Sequence, residues 1–445
     1  MKIFDIVENV DDTIDFASSI DKEIVVKGMI QNLRVLGWGG FIILRAGRFS
    51  IQSVYDKNTI NIQPDTLLVE SAVKLTGIVK SATIKDKSIT PSNYELHITA
   101  IEVLSTPSVS PLPIDTTKKE ISVGLDTSFD LRPLSLRHSS NRALFKIQSV
   151  IFNEFGNFLS SNGFTRICTP KIVYSGAEGG ANIFQLDYFG RNAYLAQSPQ
   201  FYKQMMVGVF TRVFEEAPVF RAEKHDTSRH LNEYISLDLE MGFIESFYDI
   251  INMEVNLLNH IFNELKKQCS TEIQLLGIEM PSIDKIVVYK LSEVHELIFN
   301  EYKKDYRGEP DLAPEEEKLI CEYVKKTECS DFVFVTHFPS EKRPFYTMDD
   351  PLSPKETLSF DLLFRGMEIT TGGQRLHNYN DYISKMTKFG LNTNLFESYL
   401  QAFKFGMPPH GGLGLGLERL TGLLCGVSNV KEASLFPRDI KRLEP

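Results

Sequence analysis

Two distant stretches carry the residue types of a nucleotide-handling site. Phe220-Arg221-Ala222-Glu223 runs on to Arg229-His230-Leu231-Asn232-Glu233, and far downstream lies Gly411-Gly412-Leu413-Gly414-Leu415-Gly416-Leu417-Glu418-Arg419. Each sets an arginine beside carboxylates or a glycine-rich turn. A guanidinium is permanently charged and forks onto phosphate oxygens, so Arg221 and Arg419 are candidates to clamp both ends of a triphosphate. On a strand, Arg221 and Glu223 would share one face, the first for a phosphate and the second for an amine. Taken alone, Arg-x-Glu is more often a surface ion pair. The density of charge and histidine through Lys224, His225, Asp226, Arg229, His230 and Glu233 favours a loop that closes on a ligand. Gly412, Gly414 and Gly416 permit close backbone approach, and the helix they feed, Leu417 to Leu424, offers its positive end. A dinucleotide-binding turn would need a strand just upstream, where Met407-Pro408-Pro409-His410 is a poor one.

Asp361 and Glu368 flank Leu362-Leu363-Phe364-Arg365-Gly366. In one straight strand their odd spacing puts them on opposite faces. A turn at Arg365-Gly366 brings both to one side, where two carboxylates can hold Mg2+ against phosphate oxygens. Unsupported, they read as solvated carboxylates at a hairpin. Thr370-Thr371-Gly372-Gly373-Gln374-Arg375 joins a flexible glycine pair to an arginine suited to a carboxylate, and Gln197-Ser198-Pro199-Gln200-Phe201-Tyr202-Lys203 ends in a second such cation. Each alone is more often surface than site.

These residues need elements to position them. From about residue 20 to 105, apolar and polar residues alternate in Glu23–Ile30, Gly40–Arg45, Phe49–Val54, Ser71–Val79 and Tyr94–Ala100, which predicts five short strands and a small β-barrel. Pro107 to Pro113 reads as a linker. From Asn141 the spacing turns helical, with Leu144, Ile147, Ile151, Phe155, Phe158 and Leu159, and Asn162-Gly163 stops it. Strands are expected at Phe164–Cys168, Ala193–Ala196, Arg212–Phe214, Tyr234–Asp238, Phe332–Val335 and Leu358–Phe364, and helices around Tyr248–Lys267 and Leu312–Lys326. Lys385-Met386-Thr387-Lys388-Phe389 reads as the end of an ordinary surface helix. The pattern is α+β, a mixed sheet flanked by helices. The expected division is residues 1–105 as barrel, 106–140 as linker and 141–445 as a second domain.

At 445 residues, with 42% hydrophobic and 24% charged side chains, the chain has the balance of a globular protein of two or three domains. No apolar run approaches the length of a membrane span, and Met1 to Ser19 lacks the pattern of a secretory signal. The five cysteines are scattered without C-x-x-C spacing, which fits reduced thiols in the cytoplasm better than a zinc site or disulfide frame. A net charge of −10 argues against indiscriminate nucleic-acid binding but allows a local basic face.

Taken together, the segments resemble a class II aminoacyl-tRNA synthetase, most closely the aspartyl type of archaea and eukaryotes, over nearly the whole chain. Motif 1 corresponds to the helix leading into Phe164-Thr165-Arg166-Ile167-Cys168-Thr169-Pro170. Motif 2 corresponds to Phe220 through Glu233-Tyr234 to Asp238-Leu239-Glu240, and motif 3 to Gly414-Leu415-Gly416-Leu417-Glu418-Arg419. Leu435-Phe436-Pro437-Arg438-Asp439 also fits that family.

The resemblance implies an N-terminal OB-fold that binds the anticodon and a catalytic domain with a mixed, mainly antiparallel sheet. It implies that aspartate is activated with ATP and Mg2+ and passed to the 3′ end of tRNA. Arg221 would bind the α-phosphate, Glu223 the adenine amine, and Tyr234 the adenine face. Arg419 would hold the γ-phosphate end, His230 would orient the bent triphosphate, and Gly416 would line the nucleotide site. Asp361, Glu368 and Thr371 would place Mg2+. Lys203 and Arg375 would pair with the side-chain carboxylate of aspartate, and Glu178, Gln200 and Asp238 with its ammonium. Phe41 would stack on an anticodon base and Gln52 read a base edge. Pro170 would lie near the axis of a homodimer. Lys203 favours aspartate over asparagine, with an asparaginyl enzyme as the nearest alternative and a non-catalytic tRNA-binding paralogue as the distant one. Discriminating archaeal relatives carry a tryptophan near Met29, so the asparagine tRNA stays open as a second acceptor beside the aspartate tRNA.

Overall fold

The computed structural model describes residues 14–47, 49–61, 66–86, 89, 91–174, 182–283 and 285–445. They fall into two compact units, Met1–Ala143 with Thr271–Gly277, and Leu144–Ser270 with Ile278–Pro445. Among the described residues no helix is long and apolar enough to cross a membrane.

The first unit is built on a closed barrel. Its strands are Glu23–Val35, Gly39–Ala46, Phe49–Asp56, Ala72–Ser81 and Tyr94–Ser105, the five that the alternation predicts. The third and fifth pair in parallel and the other neighbours are antiparallel. Alternation has a direct physical outcome here. Val26, Ile42, Leu44, Ile51, Val73, Leu75 and Leu96 point inward and are buried, while the intervening residues face outward. A bulge between Ile30 and Asn32 in the first strand turns Gln31 into the interior, where its side-chain oxygen accepts from the Ser50 hydroxyl at 3.1 Å.

The second unit is organised by an eight-stranded sheet. In spatial order the strands are Val288–Lys290, Phe332–Thr336, Ser359–Phe364, Met367–Gln374, His410–Gly416, Glu233–Gly242, Arg212–Phe220 and Thr165–Arg166. The interior pairings are antiparallel, and a parallel pair closes each edge. Helices Tyr248–Gln268 and Pro314–Glu328 occupy the stretches expected for them, and the long helix Ser139–Ser161 buries Leu144, Ile147, Ile151, Phe155 and Leu159.

Four local expectations need correction. The glycine run is a strand in the interior of the sheet rather than a turn. A Cβ on Gly412 would stand 2.1 Å from the Leu239 oxygen and 2.2 Å from Glu240 Oε2, and one on Gly411 would stand 2.4 Å from Ile250 Cδ1. Glycine is used because neighbours press on the strand, a tertiary demand that outweighs its poor strand propensity. Secondly, the strand before the charged loop ends at Phe220, so Arg221 and Glu223 lie beyond it. The Ala222 N–H donates to the Asn182 oxygen at 2.7 Å, which draws the chain away from its partner strand. Thirdly, Phe164–Cys168 yields only the edge strand Thr165–Arg166. Lastly, Lys385 in helix Tyr379–Lys388 is buried, donating to the Thr347 oxygen at 2.6 Å and to Asp349 at 2.7 Å, so this is no ordinary surface helix.

Candidate active site

One cleft gathers most of the chemistry-bearing residues of the second unit. Arg221, Glu223 and His230 reach it from the charged loop, Arg419 from helix Leu417–Cys425, Gln200 and Lys203 from helix Gln200–Phe210, and Tyr234, Asp238, Glu368, Thr371, Gly414 and Gly416 from the sheet.

At the loop end, the Arg221 guanidinium stands 5.8 Å from the centre of the Tyr234 ring and 4.0 Å from the Glu223 carboxylate. Asn232 pins this segment, donating to the main-chain oxygens of Arg221 at 2.6 Å and Glu223 at 3.1 Å. His230 pairs its Nδ1 with the Thr227 hydroxyl at 2.6 Å, and its Nε2 lies 3.5 Å from Glu223. Burial lowers the His230 pKa, Glu223 opposes that, and Arg419 adds to it, so an imidazole that donates without full charge is favoured near neutral pH.

Arg419 donates to the Glu368 main-chain oxygen at 2.9 Å and lies 3.5 Å from its carboxylate. Glu368 and Asp361 share a face for a reason the sequence only half reveals. Arg365 and Gly366 take positive φ values of 48° and 90°, a two-residue turn whose twist suits a hairpin. It pairs Leu363 with Glu368 and so puts Glu368 on the side of Asp361. A bulge then absorbs Ile369, so that Asp361 faces Thr371 instead of Thr370. The Thr371 hydroxyl donates to Glu368 at 3.0 Å. Asp361 is buried and accepts from Arg343 at 2.6 Å through one oxygen, while its other oxygen has no hydrogen-bond partner. Burial pushes the Asp361 carboxyl up to about 7 against the pull of Arg343, and Glu368 pushes the same way. Burial would also raise Glu368, but Arg419 and Arg343 outweigh it and hold that group low.

An orphaned carboxylate oxygen beside a second carboxylate and a hydroxyl fits a divalent cation. Among the described residues no group of three or more His, Cys, Asp and Glu side chains forms a metal cage. A cation here would therefore share its coordination with oxygens of a bound polyphosphate.

At the far end, Lys203 and Arg375 are buried, at 1% and 5% exposure. Lys203 donates to Asp238 and to the Leu413 main-chain oxygen, both at 2.8 Å, and lies 3.4 Å from Glu240. Arg375 donates to Glu240 and to the Gly412 main-chain oxygen, both at 3.0 Å. Ser236 donates its hydroxyl to Asp238. Burial opposes ionisation of Glu240, yet Arg375 and Lys203 hold it below its ordinary value. Two cations and two carboxylates thus form a fixed, desolvated charge array at the wall of the cleft. Gln200 is buried at the same wall, donating to Gln204 at 3.0 Å.

Three residues of this arrangement escape sequence reasoning. Glu240 sets Arg375 and approaches Lys203. Glu418 lines the cleft and accepts from the Ile235 N–H at 3.1 Å, with burial pushing its carboxyl up to about 8. Its place in the first turn of a helix, where acids are favoured, was a usable signal. Glu317 pairs with Arg229 and accepts from the Glu368 N–H at 3.1 Å. It sits within an acidic run, Glu315-Glu316-Glu317, that gives no local sign of this role.

The remaining candidates lie elsewhere. Phe41 and Gln52 are on the outer face of the barrel. Phe41 pairs with Val54, and Gln52 pairs with Ile43 one rung away. The Gln52 amide donates to Glu95 at 3.0 Å. Pro170 is exposed just after the edge strand Thr165–Arg166. Glu178 lies outside the described residues.

Residues 124–440 match the family described as tRNA synthetases class II (D, K and N). The chain is 43% identical over 426 residues to a Deinococcus radiodurans protein named aspartate--tRNA(Asp/Asn) ligase, covering 94% of this chain and 95% of that one. It is 42% identical over 431 residues to the Thermus thermophilus protein of the same name, covering 97% and 99%. Among solved structures, the asparaginyl-tRNA synthetase of Pyrococcus horikoshii complexed with asparaginyl-adenylate superposes with a TM-score of 0.87 at 27% identity, covering 96% of this chain and 97% of that one. With a barrel first, a mixed antiparallel sheet after it, and this family match over most of its length, the chain belongs to the class II aminoacyl-tRNA synthetases.

Proposed function

We propose that the chain is an aspartate–tRNA ligase of the cytoplasm that uses ATP and Mg2+ and acts as a homodimer. The observation that carries this reading is the polarity of the one cleft. Arg221 and Arg419 stand where a polyphosphate would lie, and Lys203 and Arg375 stand among Asp238 and Glu240 where an amino acid would lie. The names of the aspartate-ligating relatives support it.

The preference for aspartate follows from charge. The substrate ammonium is met by Asp238, with Gln200 and Glu178 as further partners. Glu240 then balances one of the two cations, and one positive charge is left for a side-chain carboxylate. Asparagine would leave that charge buried without a counterion, a cost that discriminates against it. The aspartate α-carboxylate attacks the α-phosphorus of ATP, pyrophosphate departs, and aspartyl-adenylate remains. Arg221 stabilises the charge that develops on the α-phosphate, and Arg419 holds the γ-phosphate end of the bent chain. Glu223 accepts from the adenine amine, Tyr234 stacks on the ring, and His230 steadies the bend beside Gly416. A Mg2+ held by Asp361, Glu368 and Thr371 would supply charge neutralisation. A ribose hydroxyl at the tRNA 3′ end then attacks the activated carbonyl and AMP leaves.

Residues 1–105 serve in this reading as the anticodon-binding domain, 106–140 as the linker and 141–445 as the catalytic domain, with Pro170 near the dimer axis. Phe41 and Gln52 face the anticodon of the aspartate tRNA, and the asparagine tRNA is a second acceptor. The alternative, an asparaginyl ligase, draws on the likeness to the Pyrococcus asparaginyl structure. A non-catalytic paralogue is disfavoured because Arg221, Arg419, Asp361 and Glu368 all stand. Charging purified aspartate and asparagine tRNAs with labelled aspartate and with labelled asparagine tests the reading. Transfer of asparagine alone would overturn it in favour of the alternative.

A further inference from the structure

Trp38 is the only tryptophan of the chain, and it leaves 49% of its surface in solvent although an indole carries one of the largest apolar surfaces available. A lone surface aromatic needs no explanation, but Trp38 is not alone. It lies in the hairpin between strands Glu23–Val35 and Gly39–Ala46, with its ring 5.8 Å from that of Phe41 and at 87° to it. The main chain holds the hairpin firmly. The Leu36 N–H donates to the Gly39 oxygen at 2.8 Å, and the Lys57 N–H to the Trp38 oxygen at 3.2 Å. A Cβ on Gly39 would come 2.0 Å from the Tyr55 oxygen, and one on Gly40 2.1 Å from the Arg34 oxygen. The two glycines let three strands close up at this point, so the indole is presented by a rigid base and loses little freedom on contact.

The surrounding outer face is polar in a particular way. Arg34 pairs across the strands with Phe41, and Phe41 with Val54. On the next rung Asn32 pairs with Ile43, and Ile43 with Gln52. Cross-strand partners share a face, so an exposed cation, the Phe41 ring and two amides lie side by side on it, the Gln52 amide bonded to Glu95, and the ring contact sets Trp38 beside Phe41. A cation for phosphate, rings for base faces and amides for base edges are what an unstacked nucleic-acid strand requires.

We propose that Trp38 and Phe41 form a two-ring corner that seats an unstacked base of the tRNA anticodon loop, with Trp38 a binding determinant in its own right. This rests on the ligase reading above. The indole adds a second π surface at right angles to the first and tolerates any base.

The uniqueness of Trp38 makes the test direct, because all tryptophan emission reports on this one side chain. Titration of the wild-type protein with a synthetic anticodon stem-loop of the aspartate tRNA is expected to quench that emission saturably. Trp38→Ala is expected to raise the KM for tRNA about 5- to 150-fold, the range for loss of one stacked base, with the loss falling on KM rather than kcat. Trp38→Phe should recover most of it. If the wild-type protein charges tRNA while the stem-loop leaves its emission unmoved and Trp38→Ala keeps its KM, the proposal is overturned and the ligase reading survives. If the wild-type protein neither binds the stem-loop nor charges either tRNA, the ligase reading itself fails.

Discussion

Lys203 donates to Asp238 across 2.8 Å with both side chains almost wholly out of solvent. A lysine so buried must keep its counterion, because an unpaired charge in that setting is costly. The pair therefore fixes the position of the group that would meet the substrate.

Lys203→Met should lower kcat/KM for aspartate in ATP–pyrophosphate exchange by roughly 30-fold to several thousand-fold, the usual cost of truncating one partner of a buried charge pair. ATP binding should weaken far less, since Lys203 stands at the other end of the cleft from the arginine clamp. Exchange kinetics equal to wild type would refute the assignment of Lys203.

Stability should depend on pH through Glu254, which is buried on helix Tyr248–Gln268 with its carboxyl pushed up to about 8 from an ordinary 4.5. Between those values the folded chain holds a proton that the unfolded chain has released. Stability is thus greatest below the lower value and falls as pH rises through the window, by roughly 1 kcal/mol per pH unit for one such group, levelling above the upper value. Denaturant unfolding across that range should show Glu254→Gln flatter than wild type and more stable at the alkaline end. Parallel curves for the two proteins would contradict the assignment.

The glycine strand gives a paired prediction. Gly412→Ala would place a methyl 2.1 Å from the Leu239 oxygen and should destabilise by about 1–3 kcal/mol or prevent folding. Gly414→Ala meets only side chains, Asp238 at 3.2 Å and the Ser236 hydroxyl at 3.7 Å, and should fold normally while impairing aspartate use. Thermal melts and exchange assays separate the two effects, and equal melting temperatures for both variants would show that Gly412 is not sterically required.

Phe41→Ala should weaken tRNA charging, expressed as a higher KM for tRNA by about 5- to 150-fold, far more than it affects adenylate formation. Equal loss in both assays would assign Phe41 a structural role in the barrel.

What the sequence reveals and hides divides along physical lines. The barrel strands are legible because each has one wet and one dry face, which writes a period of two directly into the chain. Arg221 and Arg419 are legible because the charge and histidine around the first, and the glycine run before the second, are denser than an isolated surface ion pair explains. The glycine strand is misread because local propensity penalises glycine, and the demand for it comes from Leu239, Glu240 and Ile250 on other elements. The end of the strand at Phe220 depends on a carbonyl at Asn182, and the side on which Thr371 emerges depends on a bulge at Ile369. Neither has a local signature. Glu317 reaches the cleft through Arg229 and Glu368, contacts that become visible only when the chain is folded.

In the function proposed, two arginines distant in sequence close on one nucleotide beside a pocket charged for aspartate. The most direct measurement is ATP–pyrophosphate exchange with aspartate or asparagine, run on the wild-type protein and on Arg221→Ala and Arg419→Ala. Exchange should depend on aspartate, with little or none on asparagine, and each arginine variant should lose about 100- to 1,000-fold in kcat. Full exchange in either variant, or exchange supported by asparagine alone, would contradict the proposed function.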